Sequence, residues 1–129
     1  MRKGLAVALA LMLGVAFAAS LPARKSEQGG VTVVVRPESL AADVKQWKFN
    51  VAVDTHTQEL KDDLAKAAVL VDDRGTEAKP SGWKGSGPGG HHRTGVLTFD
   101  AFAPPPKFVE LRIHLGGEPS PRVFRWTLG

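Results

Sequence analysis

Two stretches of this chain alternate apolar and polar residues with a period of two, and that period does most to limit the folds open to it. Trp47, Phe49, Val51 and Val53 alternate with Lys48, Asn50, Ala52 and Asp54, while Val109, Leu111, Ile113 and Leu115 alternate with Glu110, Arg112 and His114. Successive side chains of a strand point to opposite faces, so each stretch predicts a strand with one buried and one wet face. Residues 31–36, 67–72, 92–100 and 122–128 predict further strands. The first is β-branched and stops at Pro37, the second closes in the turn Asp73-Arg74-Gly75, and the last sets Phe124, Trp126 and Leu128 on one side. A short turn over 116–121 leaves no room for a parallel crossover, so the strands it joins are antiparallel. Only residues 58–66 change to a three- and four-residue spacing, with Leu60 and Leu64 on one face and Thr57 placed to cap, which predicts one short helix. Residues 80–90 are rich in Gly and predict a long loop, and Pro104 to Pro106 predict an extended connection. Six or seven short strands with one helix predict an all-β fold, an immunoglobulin-like antiparallel β-sandwich with Trp47 as the core Trp between its sheets.

The N-terminus follows other rules. Arg2 and Lys3 precede an uncharged apolar run from Leu5 to Phe17, and Ala16-Phe17-Ala18 has the small-x-small form that signal peptidase cuts. Residues 1–18 are therefore read as a cleavable export signal, directing the chain to the periplasm, the cell envelope or the medium. A retained anchor is the alternative, but the run falls short of the ~20 residues that span a bilayer. No later run is long enough, so no membrane span is expected after cleavage. Residues 19–30 are polar and broken by Pro and Gly, and are expected to form a flexible lead-in. Residues 31–129 then make one sandwich domain, too short for two cores.

Composition removes several functions. Loss of Arg2 and Lys3 takes the formal charge from +4 to +2, and no run of five like charges remains to make the basic stripe of a nucleic-acid binder. The chain has no cysteine, and both methionines, Met1 and Met12, fall within the signal. Blue-copper centres, thioether copper sites, thiol catalysis and disulfides all need sulfur ligands or thiols, so none is open to the exported part. Gly85-Ser-Gly87-Pro-Gly-Gly90 spells G-x-G-x-x-G, but a loop leading into a strand lacks the helix N-terminus that such a fingerprint needs. Ser86 lacks the flanking pattern of a nucleophile elbow, and no pair of carboxylates has a spacing that predicts glycosidase geometry. The chain is read as a non-enzyme.

Imidazoles, carboxylates and aromatic surface remain. Asp54-Thr-His56-Thr and Gly89-Gly-His91-His92-Arg93 each sit where a strand gives way to loop. If these loops meet, His56, His91 or His92, and Asp54 supply ligands for a transition metal, Cu(II), Zn or Ni, with metal–nitrogen distances of about 2.0–2.1 Å. The plainer alternative has His56 bonding a turn, one of the His91–His92 pair packing under the glycines and the other in water. His114 is expected to be an exposed strand residue beside Glu110 and Arg112. Trp83, in Ser81-Gly-Trp-Lys-Gly85, is read either as a platform for a glycan or partner or as a cap on the open end of the core.

Trp47-x-Phe49-x-Val51-Ala-Val53-Asp-Thr-His56-Thr, Ala68-Val-Leu-Val-Asp-Asp-x-Gly75 and Gly89-Gly-His-His92-Arg-x-Gly95-Val-Leu-x-Phe99 together resemble a group of uncharacterised exported prokaryotic β-sandwich proteins. The resemblance implies that the two histidine motifs belong to one pattern, and carries no reaction or ligand with it. Two functions follow from the residues: an exported protein binding a transition metal through its loop histidines, or a structural or adhesion-type module binding a partner protein or envelope glycan without metal.

Overall fold

The structure, a computed structural model, describes residues 21–128, so the export signal expected over 1–18 lies outside the described residues. Among the described residues, nine strands and one short helix follow in the order β1 (Arg24–Gln28), β2 (Val31–Pro37), β3 (Gln46–Thr55), α1 (Leu64–Ala67), β4 (Ala68–Asp72), β5 (Glu77–Ala78), β6 (Gly82–Gly85), β7 (His92–Asp100), β8 (Phe108–Ile113) and β9 (Arg122–Thr127). They form a five-stranded sheet, β1-β2-β3-β7-β6, and a four-stranded sheet, β5-β4-β8-β9. Every pairing is antiparallel. The two sheets bury their apolar faces against each other, which is the expected sandwich, with nine strands in place of six or seven. No helix among the described residues is long and apolar enough to cross a membrane.

The period of two places the core. Val33, Val35, Trp47, Phe49, Val51, Leu97 and Phe99 line the inner face of the larger sheet, and Leu70, Val109, Leu111, Ile113, Phe124 and Trp126 line the smaller. Phe49 sits at the centre, edge-on to Phe99 with centroids 5.7 Å apart and tilted against Trp126 at 5.5 Å. Trp47 is fully buried, as expected, and donates its indole N–H to the Ala41 carbonyl at 3.2 Å. Fully burying each such side chain contributes about 1.5–3 kcal/mol, so packing alone holds a domain without disulfides.

Three local expectations need correction. Residues 24–28 were expected in a flexible lead-in and instead pair with β2 as an edge strand. The cause is Gly29-Gly30, whose φ values of 58° and 78° make the two-residue hairpin turn that glycines adopt without steric cost. An edge strand with both faces wet needs no apolar alternation, so its polar sequence hid it. The helix is α1 alone, capped by the Asp63 carboxylate accepting from Ala65 N at 3.1 Å and not by Thr57. Residues 56–63 ahead of it are irregular, and Leu60 is tied to the β6–β7 loop, where Leu60 N donates to Gly90 O at 2.9 Å and Gly89 N donates to Leu60 O at 2.6 Å. The second bond occupies the Leu60 carbonyl, which a helix from Gln58 would pair with Leu64 N, and the first takes the Leu60 N–H that a Thr57 cap would have held.

The third correction concerns residues 80–90. Gly82–Gly85 is not loop but strand β6, paired with β7 at the edge of the larger sheet. Gly85 lies opposite Gly95, and a Cβ on Gly95 would meet the Trp83 ring at 2.6 Å and the Lys84 carbonyl at 2.8 Å. The missing side chains let the backbones close, and the Trp83 indole fills the space above Gly95.

Candidate functional site

All four histidines come to one end of the sandwich. The ladder puts Gln28 opposite Val31 and Val31 opposite Thr55, and Thr55 N donates to His91 O at 2.9 Å, so the β1–β2 turn, the segment after β3 and the β6–β7 loop share that end. The smaller sheet ends at the same level, with Ala68, Ile113 and Arg122 in register and His114 one residue beyond β8. His114 is exposed, as expected, but past the strand, with Nε2 2.9 Å from Glu118 O.

Within this end the histidines do not converge as the metal reading requires. Asp54 and His92 stand opposite each other in the β3–β7 ladder, and Nδ1 of His92 hydrogen-bonds Oδ1 of Asp54. His56 and His91 are exposed and neither joins this pair: among the described residues no three His, Asp, Glu or Cys side chains assemble into a metal-binding group. A site built from His56, His91, His92 and Asp54 is therefore not preformed. Adjacent residues face opposite ways where the chain is extended, and His91 and His92 are adjacent. The Asp54–His92 pair itself is open to water, with its side chains 47% and 66% exposed, so it adds little stability. It does orient the ring and leave Nε2 pointing away from the carboxylate.

Trp83 does not stand out as a platform. Its register with Leu97 puts it on the core side of β6, half-buried against the core. The indole N–H donates to Ser86 O at 2.9 Å, and the Arg93 guanidinium lies 5.9 Å from the ring centroid. It caps the edge of the core.

Two buried arginines, unforeseen in the sequence reading, hold the loops of this end. Arg93 shares the inner face with Leu97 and Phe99 and donates to Asp62 O at 2.5 Å and Ser86 O at 3.1 Å, tying the segment before α1 to the β6–β7 loop. Its Nε is buried with no partner. Arg122 donates to the carbonyls of Ser26 at 3.0 Å, Val31 at 2.9 Å and Gln28 at 2.9 Å, and pairs with both carboxylate oxygens of Glu118. Both were legible as arginines in phase with apolar neighbours: Arg93 with Leu97 and Phe99, Arg122 with Phe124 and Trp126.

Between these loops lies a trough of about 460 Å³, the feature that sequence reasoning missed. Val31, Leu60 and Leu115 form its floor, each 5% exposed, and Gln58, Glu59, Lys61, Asp62 and Glu118 stand among its rim residues. The rim is cross-linked: Asp62 Oδ1 accepts from Gly116 N at 2.8 Å, Gln58 Nε2 donates to Gly29 O at 3.0 Å, and Thr55 Oγ1 donates to Gly30 O at 2.8 Å. With Arg122 beneath, three separate loops are held in one arrangement before anything binds. Its parts lie far apart in sequence, so no local motif announced it.

No family model and no curated protein matches this sequence. Among solved structures it is similar to the crystal structure of a DUF4426 family protein from Pseudomonas aeruginosa PAO1, with a TM-score of 0.51 and 12% identity, covering 81% of this chain and 96% of that one. At that identity the likeness shows the fold alone.

Proposed function

We propose that the chain is an exported, non-enzymatic β-sandwich that binds a partner protein through its loop end. The observation that carries this is the trough: an apolar floor, a polar rim and loops braced in advance. Bracing reduces the ordering cost of binding. A glycan partner is less well served, because the candidate stacking ring, Trp83, is committed to Gly95 and Ser86. The test is site-specific photo-crosslinking in the producing cell, with the photoreactive residue at Pro119 on the trough rim or at Ser39 at the opposite end. A single protein adduct of constant mass is expected from Pro119 and none from Ser39. Equal labelling from both positions, or from Ser39 alone, overturns the proposal.

One observation favours a second reading, a surface site for a transition metal. A carboxylate that holds one imidazole nitrogen and leaves the other outward is the usual second partner of a metal-ligating histidine, and Asp54 stands in that relation to His92. His56 or His91, both exposed at this end, would have to swing in to complete the site. Calorimetric titration with Cu(II), Zn or Ni should then show binding that His92→Ala abolishes and His56→Ala or His91→Ala weakens. Binding unchanged in all three variants removes this reading.

A further inference from the structure

Building on the partner-binding proposal, we infer that the trough takes a lysine or arginine side chain of the partner, with its apolar stem over Val31, Leu60 and Leu115 and its cationic head at Glu59 and Asp62. The charges around the trough are unequal. Three acidic residues are among its lining, Glu59, Asp62 and Glu118, against one lysine, Lys61. Glu118 is spent, since Arg122 donates to both of its oxygens, at 3.0 and 2.5 Å. Asp62 uses Oδ1 for Gly116 N, and among the described residues neither it nor Glu59 forms an ion pair. Asp62 and Glu59, the latter with its carboxylate on the Gly89 side of the rim, thus keep acceptor capacity to spare around a floor that is apolar.

That combination selects by exclusion. An anion over this floor would meet Glu59 and Asp62 with only the Lys61 ammonium to offset them, and a purely apolar group would strip water from the carboxylates without replacing it. A side chain with a long apolar stem and a cationic tip satisfies both surfaces, which is how Lys and Arg cover apolar area while keeping their heads in polar surroundings. At about 460 Å³ the trough also has room for backbone flanking the inserted residue. Specificity therefore comes from the rim and contact area from the floor.

The test uses the ¹⁵N-labelled protein and three probes: the N-acetyl, C-methylamide derivatives of lysine, of norleucine, which has the stem without the charge, and of glutamate. The lysine probe should shift the amides of Leu60, Leu115 and Gly117 saturably and bind about fivefold more tightly than norleucine, as expected of a solvent-accessible ion pair. The glutamate probe should leave these amides unmoved. Replacing Glu59→Gln together with Asp62→Asn keeps an acceptor for Gly116 N and should bring lysine down to norleucine; an otherwise unchanged amide spectrum shows that the fold is kept. Equal binding of lysine and norleucine overturns the inference, as does saturation with shifts confined to residues outside the trough. If no probe binds while the Pro119 adduct persists, the cationic inference fails and the partner protein stands. If lysine binds and the adduct is absent, the trough's selectivity stands and the protein partner falls.

Discussion

At the scale of single residues, the informative positions are ionisable groups placed where burial should cost most. Glu110 lies on the outer face of the smaller sheet yet is only 8% exposed, and each of its oxygens receives one guanidinium, Arg112 at 2.8 Å and Arg125 at 2.5 Å. Those hydrogen bonds hold its carboxyl below the ordinary 4.5, against the opposing effect of burial. For Asp72 burial is the largest influence and pushes upward, but the N–H groups of Thr76 and Arg74 and the Arg74 guanidinium together outweigh it and bring the carboxyl below 3.8. Both folded values are depressed, so between the unfolded and folded values the unfolded chain binds more protons. Their stabilisation is complete above about pH 4.5 and is lost as the pH falls through the folded values. In urea unfolding as a function of pH, Glu110→Gln should cost about 1–3 kcal/mol near neutrality and give a shallower acid limb than the parent. An acid limb of unchanged slope would show that Glu110 is not the group being titrated. The alternation of β8 already placed Glu110 on the outer face, but nothing local announced that two arginines would cover it, since Arg125 arrives from β9.

At the scale of elements, the strands that alternate were legible and those that do not were hidden. β2, β3, β7, β8 and β9 bury one face, so packing imposes their period on the sequence. β1 and β6 are edges, bonded on one side, and their sequences answer to turns and close approach. Gly29-Gly30 is a hairpin signal, masked by the polar residues before it, whereas Gly85 and Gly95 acquire meaning only once β6 and β7 are laid together. The expected helix failed for a related reason: Leu60 and Leu64 are both buried as their spacing suggests, but Leu60 reaches the core from irregular chain tied to Gly89 and Gly90. Gly95→Ala tests the β6 account. Its Cβ has nowhere to go without moving the Trp83 ring or the Lys84 carbonyl, so the variant should lose about 1–3 kcal/mol and exchange the β6 amides faster than the parent. Parent-like stability and exchange would mean that the indole is not wedged against the strand.

For the whole molecule, sequence and structure divide along a physical line. The sandwich class, the inner faces of its principal strands and the absence of any thiol or disulfide follow from the chain alone, because alternation and composition can be read directly from the sequence. The joining of Asp54 to His92 and the failure of His56 and His91 to join them come from register, which depends on how β3 meets β7 across 38 residues. Arg122 shows the same dependence over longer range. It binds carbonyls of Ser26, Gln28 and Val31, more than 90 residues away, and thereby closes the flank of the sandwich and braces the trough. A binding surface assembled from three loops has no signature in any one of them. Such a surface is a relation between distant segments, and only the packing of one sheet on the other brings those segments together.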